Sequence, residues 1–145
     1  LCDWSDNPFA ERNKRRLERY LKASFKTDTT PVLEETKRQL DEFFAGKRMA
    51  FDIQIRLAGT DFQQQVWNAL LRIPYGATKS YKEIAQCIGK PKAVRAVAGA
   101  IGANGISILI PCHRVIGSNR SLTGYAGGLV AKRMLLGMET TGHKC

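Results

Sequence analysis

Cys112, His113 and Arg114 stand on consecutive positions, directly after Pro111 and the apolar run Ile108-Leu109-Ile110. Thiolate is the reactive form of cysteine, and a neighbouring imidazolium or guanidinium lowers the thiol pKa. The run 106–110 reads as a buried strand, and Pro111, which has no N–H, ends its ladder. A thiol at a strand end would be held rigidly with its tip open. On the tripeptide alone, an inert core cysteine is an equal alternative. Only Asp61, Glu83 and Glu139 are acidic after position 57. Glu139 could therefore orient His113 and complete a Cys–His–Glu relay, for which sequence distance is no obstacle. The plainer reading is an exposed carboxylate at a helix end, although an acid there is poorly placed against the helix dipole.

The elements that must position these groups follow from local signals. Thr60 caps a helix with Phe62, Val66, Ala69, Leu70 and Ile73 on one face, ending before Pro74-Tyr75-Gly76. Trp67 beside that face reads as core. Ser80 caps a short helix over 81–88, Gly89-Lys90-Pro91 makes a tight turn, and a second helix runs over 92–103 to Asn104-Gly105. Two short helices joined by a glycine turn, the second opening on basic residues, form a helix-turn-helix pattern. Ala93, Val94, Ala96 and Ala98 make the second helix smooth, suited to close backbone approach rather than base reading. Arg95 stands alone among them and could enter a base stack; a plain surface charge is the alternative. Gly124-Tyr125-Ala126-Gly127-Gly128 reads as a flexible lid over a flat ring, or as an ordinary surface loop. A last helix over 129–139 presents Val130, Met134, Leu135 and Met138 inward, and Lys132 and Arg133 outward.

Residues 1–57 read as an appendage and 58–145 as the working domain, with Ala58-Gly59 as the boundary. In the appendage, Leu17, Tyr20, Leu21 and Phe25 fall at helical spacing behind the basic stretch 12–16, which could touch DNA but reads first as a solvated helix face. Thr30-Pro31 opens a helix with Leu33, Leu40 and Phe44 inward and Gly46 at its end. Residues 51–57 alternate apolar and polar as a half-buried strand does.

The formal net charge of +10 is uneven: 1–57 hold 12 Lys/Arg against 10 Asp/Glu, and 58–145 hold 11 against 3. A surface nearly cleared of carboxylates suits a polyanion and makes the second part the nucleic-acid face. No apolar run reaches membrane-spanning length and no signal peptide is present, so a cytoplasmic location is expected. The four cysteines (Cys2, Cys87, Cys112, Cys145) lack zinc-site spacing and read as free thiols in a reducing compartment. Leu1 in place of Met marks a fragment or trimmed chain.

With these residues in hand, the chain resembles the O6-alkylguanine-DNA alkyltransferase family of self-methylating DNA repair proteins, in its bacterial branch. The resemblance runs from Gly59 to Glu139 through Phe62-Gln63-Gln64-Gln65-Val66-Trp67, Ile73-Pro74-Tyr75-Gly76, Ser80-Tyr81, the stretch 89–97, Ile110-Pro111-Cys112-His113-Arg114-Val115 and Gly124-Tyr125. It implies an α+β protein with a mainly helical, winged-helix-like C-terminal domain. Ahead of that domain, a truncated α/β N-terminal domain would lack its opening strands. The zinc ligands of some relatives have no counterpart, and neither metal nor cofactor is implied.

By the same resemblance Cys112 accepts the alkyl group from O6 of guanine, or O4 of thymine, once per molecule. His113 relays its proton through a water and Glu139 orients His113. Tyr81 donates to the leaving base. Arg95 fills the gap left by the flipped nucleotide, with Lys92, Ala93, Val94, Ala96 and Arg114 on the DNA. Asn104 ties the recognition helix to the active-site loop, and the carbonyls of Cys112 and Val115 accept from the guanine amino group. Tyr125 borders the pocket, the N–H of Ala126 donates to the guanine oxygen, and Lys132 holds the loop. The implied partner is double-stranded DNA carrying O6-alkylguanine, entered from the minor groove by a monomer. Three rivals remain: a damage-binding relative without chemistry, which would lack Cys112; a helix-turn-helix regulator; and a cysteine hydrolase.

Overall fold

The computed structural model describes residues 1–26, 28–119, 121, 122, 124, 125 and 127–143. Among them it has six α-helices and one short sheet, an α+β arrangement. The helices are α1 (Ala10–Leu21), α2 (Pro31–Phe44), α3 (Asp61–Leu71), α4 (Tyr81–Cys87), α5 (Val94–Gly102) and α6 (Leu129–His143). Strands β1 (Lys79–Ser80) and β2 (Val115–Ile116) pair in parallel, Lys79 opposite Val115 and Ser80 opposite Ile116. No helix among these residues is long and apolar enough to cross a membrane.

Three starts follow their caps. Thr30 Oγ1 accepts from Leu33 N at 3.2 Å with Pro31 in the first turn. Thr60 and Ser80 each form a reciprocal capping box, with Gln63 and Glu83. α3, α4 and α5 then bury Val66, Trp67, Leu70, Ile84, Ala85, Val97 and Ile101 in one core that also takes in Ile110, Cys112 and Val115. Trp67 Nε1 donates to Ala100 O at 2.9 Å and pins α3 to α5. Because β1 runs directly into α4 and β2 directly follows the Cys112 turn, this two-residue ladder sets Tyr81 beside that turn.

Several expectations need correction. Residues 106–110 are buried but form no strand: Ile108 has a positive φ of 70°, and only isolated bridges (Cys2 with Ile106, Ser107 with Ile110) occur. A left-handed Ile breaks the pleat, so the segment turns back on itself and a 3-10 turn, Cys112–Arg114, carries the thiol. Residues 51–57 keep the alternating burial but have no partner strand among the described residues. Instead, the Gln39 side chain takes both backbone groups of Asp52, accepting from its N at 2.9 Å and donating to its O at 3.2 Å. In α2, Phe43 is fully buried while Phe44 is 43% exposed.

In α6, Val130 is 79% exposed and Met134 49%, whereas Lys132, Leu135 and Glu139 are buried. Those three share one helical face at positions i, i+3 and i+7, so the inward face is half polar. The stretch 12–16 is not a uniformly solvated face either. Arg16 bonds Ala58 O and Ala103 O at 3.0 Å each, capping the end of α5 from α1. α1 stops at Leu21, where Lys22 turns left-handed, which leaves Phe25 outside the helix.

Candidate active site

The 3-10 turn brings Cys112, His113 and Arg114 inward together. Cys112 is only 6% exposed, and its N donates to Ile110 O at 2.7 Å. Asn104, buried where the chain leaves α5, donates to Ile110 O at 3.1 Å and accepts from Ile106 N at 2.9 Å. The exit of the helix and the approach to Cys112 thereby become one rigid unit.

His113 is fully buried. Its Nε2 lies 2.7 Å from Glu139 Oε2. The same carboxylate receives Arg114 Nε and Nη2 at 2.9 Å each, a bidentate pair, while Arg114 Nη1 donates to Ile73 O at 2.8 Å. The Arg114 guanidinium lies over the Tyr75 ring, 5.7 Å from its centroid. Burial alone would raise the Glu139 pKa; the hydrogen bonds from His113 and Arg114 outweigh it and hold the carboxyl down at about 2. An ionised carboxylate only accepts, so Nε2 carries the imidazole proton and Nδ1 keeps its lone pair. Nδ1 is buried without a hydrogen-bond partner among the described residues. Burial lowers the His113 pKa, so the ring is neutral at pH 7 and Nδ1 is a base without a proton.

Two expectations change here. Arg114 does not face DNA: its side chain is buried and its donors are taken by Glu139 and Ile73 O. Nor do neighbouring cations ready a thiolate at Cys112. Burial pushes the thiol up to about 11, opposed by the hydrogen bond from Asn104 and the charge of Lys132. Cys112 rests as a thiol beside a base. Two units above the ordinary thiol value leave about a hundredfold less thiolate at neutral pH. Iodoacetamide at pH 7 should therefore label the exposed Cys87 well before Cys112, read by peptide mass; equal labelling would contradict the resting thiol.

Lys132, outward by its helix pattern but holding the loop by the resemblance, is fully buried, with Nζ 2.5 Å from Val115 O and 3.4 Å from Gly124 O. Burial lowers its pKa to about 8. It clamps β2 to the glycine-rich loop and already occupies one lone pair of the Val115 carbonyl. Tyr125 stands edge-on to His113, ring centroids 6.4 Å apart. Tyr81 opens α4 half-buried against the core that holds Cys112. Ala126 lies outside the described residues.

On α5, Val94 turns to the core with Val97 and Ile101, and Ala93 is half-buried. Lys92, Arg95, Ala96, Ala98 and Gly99 are exposed, so one guanidinium projects from a face of small residues. Trp4, which no sequence pattern marks as a site residue, donates from Nε1 to Tyr125 Oη at 2.8 Å. Nothing local in the sequence signals a contact spanning 121 positions.

A family model described as 6-O-methylguanine DNA methyltransferase, DNA binding domain, matches residues 61–141. The methylated-DNA–protein-cysteine methyltransferase of Methanosarcina barkeri is 57% identical over 105 residues, covering 72% of this chain and 66% of that protein. The constitutive enzyme of that name from Bacillus subtilis is 53% identical over 116 residues, covering 79% and 70%. Among solved structures, Mycobacterium tuberculosis OGT in complex with DNA superposes with a TM-score of 0.74 at 54% identity, covering 76% of this chain and 68% of that one. The chain thus spans about two thirds of the length of these relatives.

Proposed function

Since the chain belongs to the methylated-DNA–protein-cysteine methyltransferase family, we propose that it repairs DNA by moving an alkyl group from O6 of guanine, or O4 of thymine, onto its own Cys112. The observation that carries this reading is the buried, unpartnered Nδ1 of His113, one residue from the thiol, with the other ring nitrogen held by Glu139.

The proton on Cys112 Sγ passes to His113 Nδ1 through one bridging water, and the imidazolium formed is stabilised by the Glu139 carboxylate. Sγ attacks the alkyl carbon in line, the C–O6 bond breaks, and its electron pair enters the guanine ring. Tyr81, at the start of α4, donates a hydrogen bond to the ring as that charge develops. The guanine anion takes up one proton from solvent and the imidazolium gives the thiol's proton back to solvent. Net, the thiol loses one proton, the released guanine gains one, and a thioether is left behind. The balance closes without any co-reactant. Asn104 and Lys132 hold the walls of the site, Tyr125 borders the base, and the carbonyls of Cys112 and Val115 meet the guanine amino group.

The alkyl carbon lies inside a duplex, so the nucleotide must leave the stack, at a cost of about a few kcal/mol. α4 and α5 act as a helix-turn-helix within a winged-helix-like domain, 58–145, preceded by the remnant of an α/β domain. The smooth face of α5, with Ala96, and the Lys92 and Ala93 that lead into it lie against the minor groove, and Arg95 fills the vacated stack. The protein works as a monomer in the cytoplasm.

No group in the site can cleave a thioether, so each molecule acts once. Increasing amounts of duplex containing O6-methylguanine should be restored to one guanine per chain and no further. Repair continuing past that equivalence would contradict the proposal.

A further inference from the structure

We propose that Trp4 is a positioning residue for the substrate pocket, fixing Tyr125 and so setting how large an alkyl group reaches Cys112; this rests on the function proposed above. The residue lies outside the segment matched by the family model, 61–141.

Two independent contacts join Trp4 to the glycine-rich loop. Its indole N–H donates to Tyr125 Oη at 2.8 Å, with the two rings edge-to-face at 6.0 Å between centroids. The indole also lies flush on Gly127: a Cβ there would come within 2.7 Å of Cδ2, Cε2 and Nε1. No side chain larger than hydrogen fits at 127 while Trp4 keeps its place.

Trp4 is itself anchored. Cys2 N donates to Gly105 O at 2.8 Å, and Ser107 N donates to Cys2 O at 2.6 Å. The Asp3 carboxylate accepts from Trp4 N and from Asn7 Nδ2, both at 2.8 Å. Residues 2–7 thus brace the 105–107 segment, on the approach to Cys112, against the loop that carries Tyr125. Burial keeps Tyr125 a neutral phenol. With its oxygen held by the indole and its ring against His113, Tyr125 cannot swing away from the core that holds Cys112. Without the brace it can, and the space at the reacting carbon widens.

The test compares self-alkylation rates on duplexes carrying O6-methylguanine and O6-benzylguanine. Trp4→Phe keeps the ring but removes the donor. The benzyl-to-methyl rate ratio should rise about fivefold, the scale of one lost hydrogen bond. Tyr125→Phe should raise it similarly, and the double variant no further, because both delete the same bond. Gly127→Ala, which displaces the indole by crowding, should move the ratio the same way with Trp4 intact. A purely structural brace would slow both substrates alike, so an unchanged or lower ratio in Trp4→Phe and Gly127→Ala overturns the proposal. Methyl transfer by the unsubstituted chain is the control for the functional reading, and only the ratios among variants bear on Trp4.

Discussion

Replacing Glu139 with alanine is expected to cost about 3–5 kcal/mol of stability, because it leaves Arg114 buried without its counter-charge. It would strand His113 Nε2 and two Arg114 donors, all in a site where Glu139 is 1% exposed. Set against a total of about 5–15 kcal/mol for a domain, that loss can unfold the chain. Glu139→Gln is therefore the informative partner. It is isosteric, keeps one acceptor, and should lower the melting temperature less than the alanine variant.

Its expected effect is chemical. The amide oxygen can still accept from Nε2, but without the carboxylate charge the imidazolium has no counter-ion, and transfer should slow by about 10²–10⁴-fold, the range for general acid–base groups. A glutamine variant at the parental rate would remove Glu139 from the relay. The pH dependence has a definite sign. Glu139 titrates at about 2 in the fold, below its ordinary value of 4.5, so its stabilisation is full at neutral pH and fades as pH falls from about 4.5 toward 2. His113, also lowered, resists protonation in the fold, so acid favours the unfolded chain in its window as well.

Cys112→Ala should abolish alkyl transfer altogether and leave affinity for duplex DNA within about twofold, since the exposed face of α5 is untouched. The two effects separate because the sulfur is buried in the core that α5 packs on, not on the exposed face of α5. Cys112→Ser should behave almost as the alanine variant does. A hydroxyl is a far weaker nucleophile, and His113 is already a neutral base of lowered pKa. Retained transfer in either variant would mean that another atom accepts the group.

Much of this site was legible because it is written locally. Thr60 and Ser80 announce their helices through side chains three residues away, and those capping boxes place Tyr81 without any tertiary knowledge. The Cys112-His113 pair and the scarcity of acids after position 57 pointed to Glu139, and the structure sets Glu139 against His113. What failed to read out depends on partners far along the chain. An apolar run such as 106–110 looks the same whether it joins a ladder or folds into a buried turn, and Ile108 in a left-handed conformation decides it here. Lys132 reads outward beside Arg133 from local pattern, yet its helical phase matches Leu135 and Glu139, and only the resemblance ties it to the loop. The resemblance places Arg114 on the DNA, but its carboxylate partner lies on α6, far along the chain. Trp4 carries no signal at all without Tyr125 beside it.

The central claim is that one sulfur takes and keeps the alkyl carbon, and a peptide mass reads it directly. After incubation with duplex DNA containing O6-methylguanine and proteolysis, the peptide bearing Cys112 should gain the mass of one methyl group, with Cys2, Cys87 and Cys145 unchanged. An unmodified Cys112 peptide in a sample whose DNA has been repaired, or a methyl group on another cysteine, would contradict it.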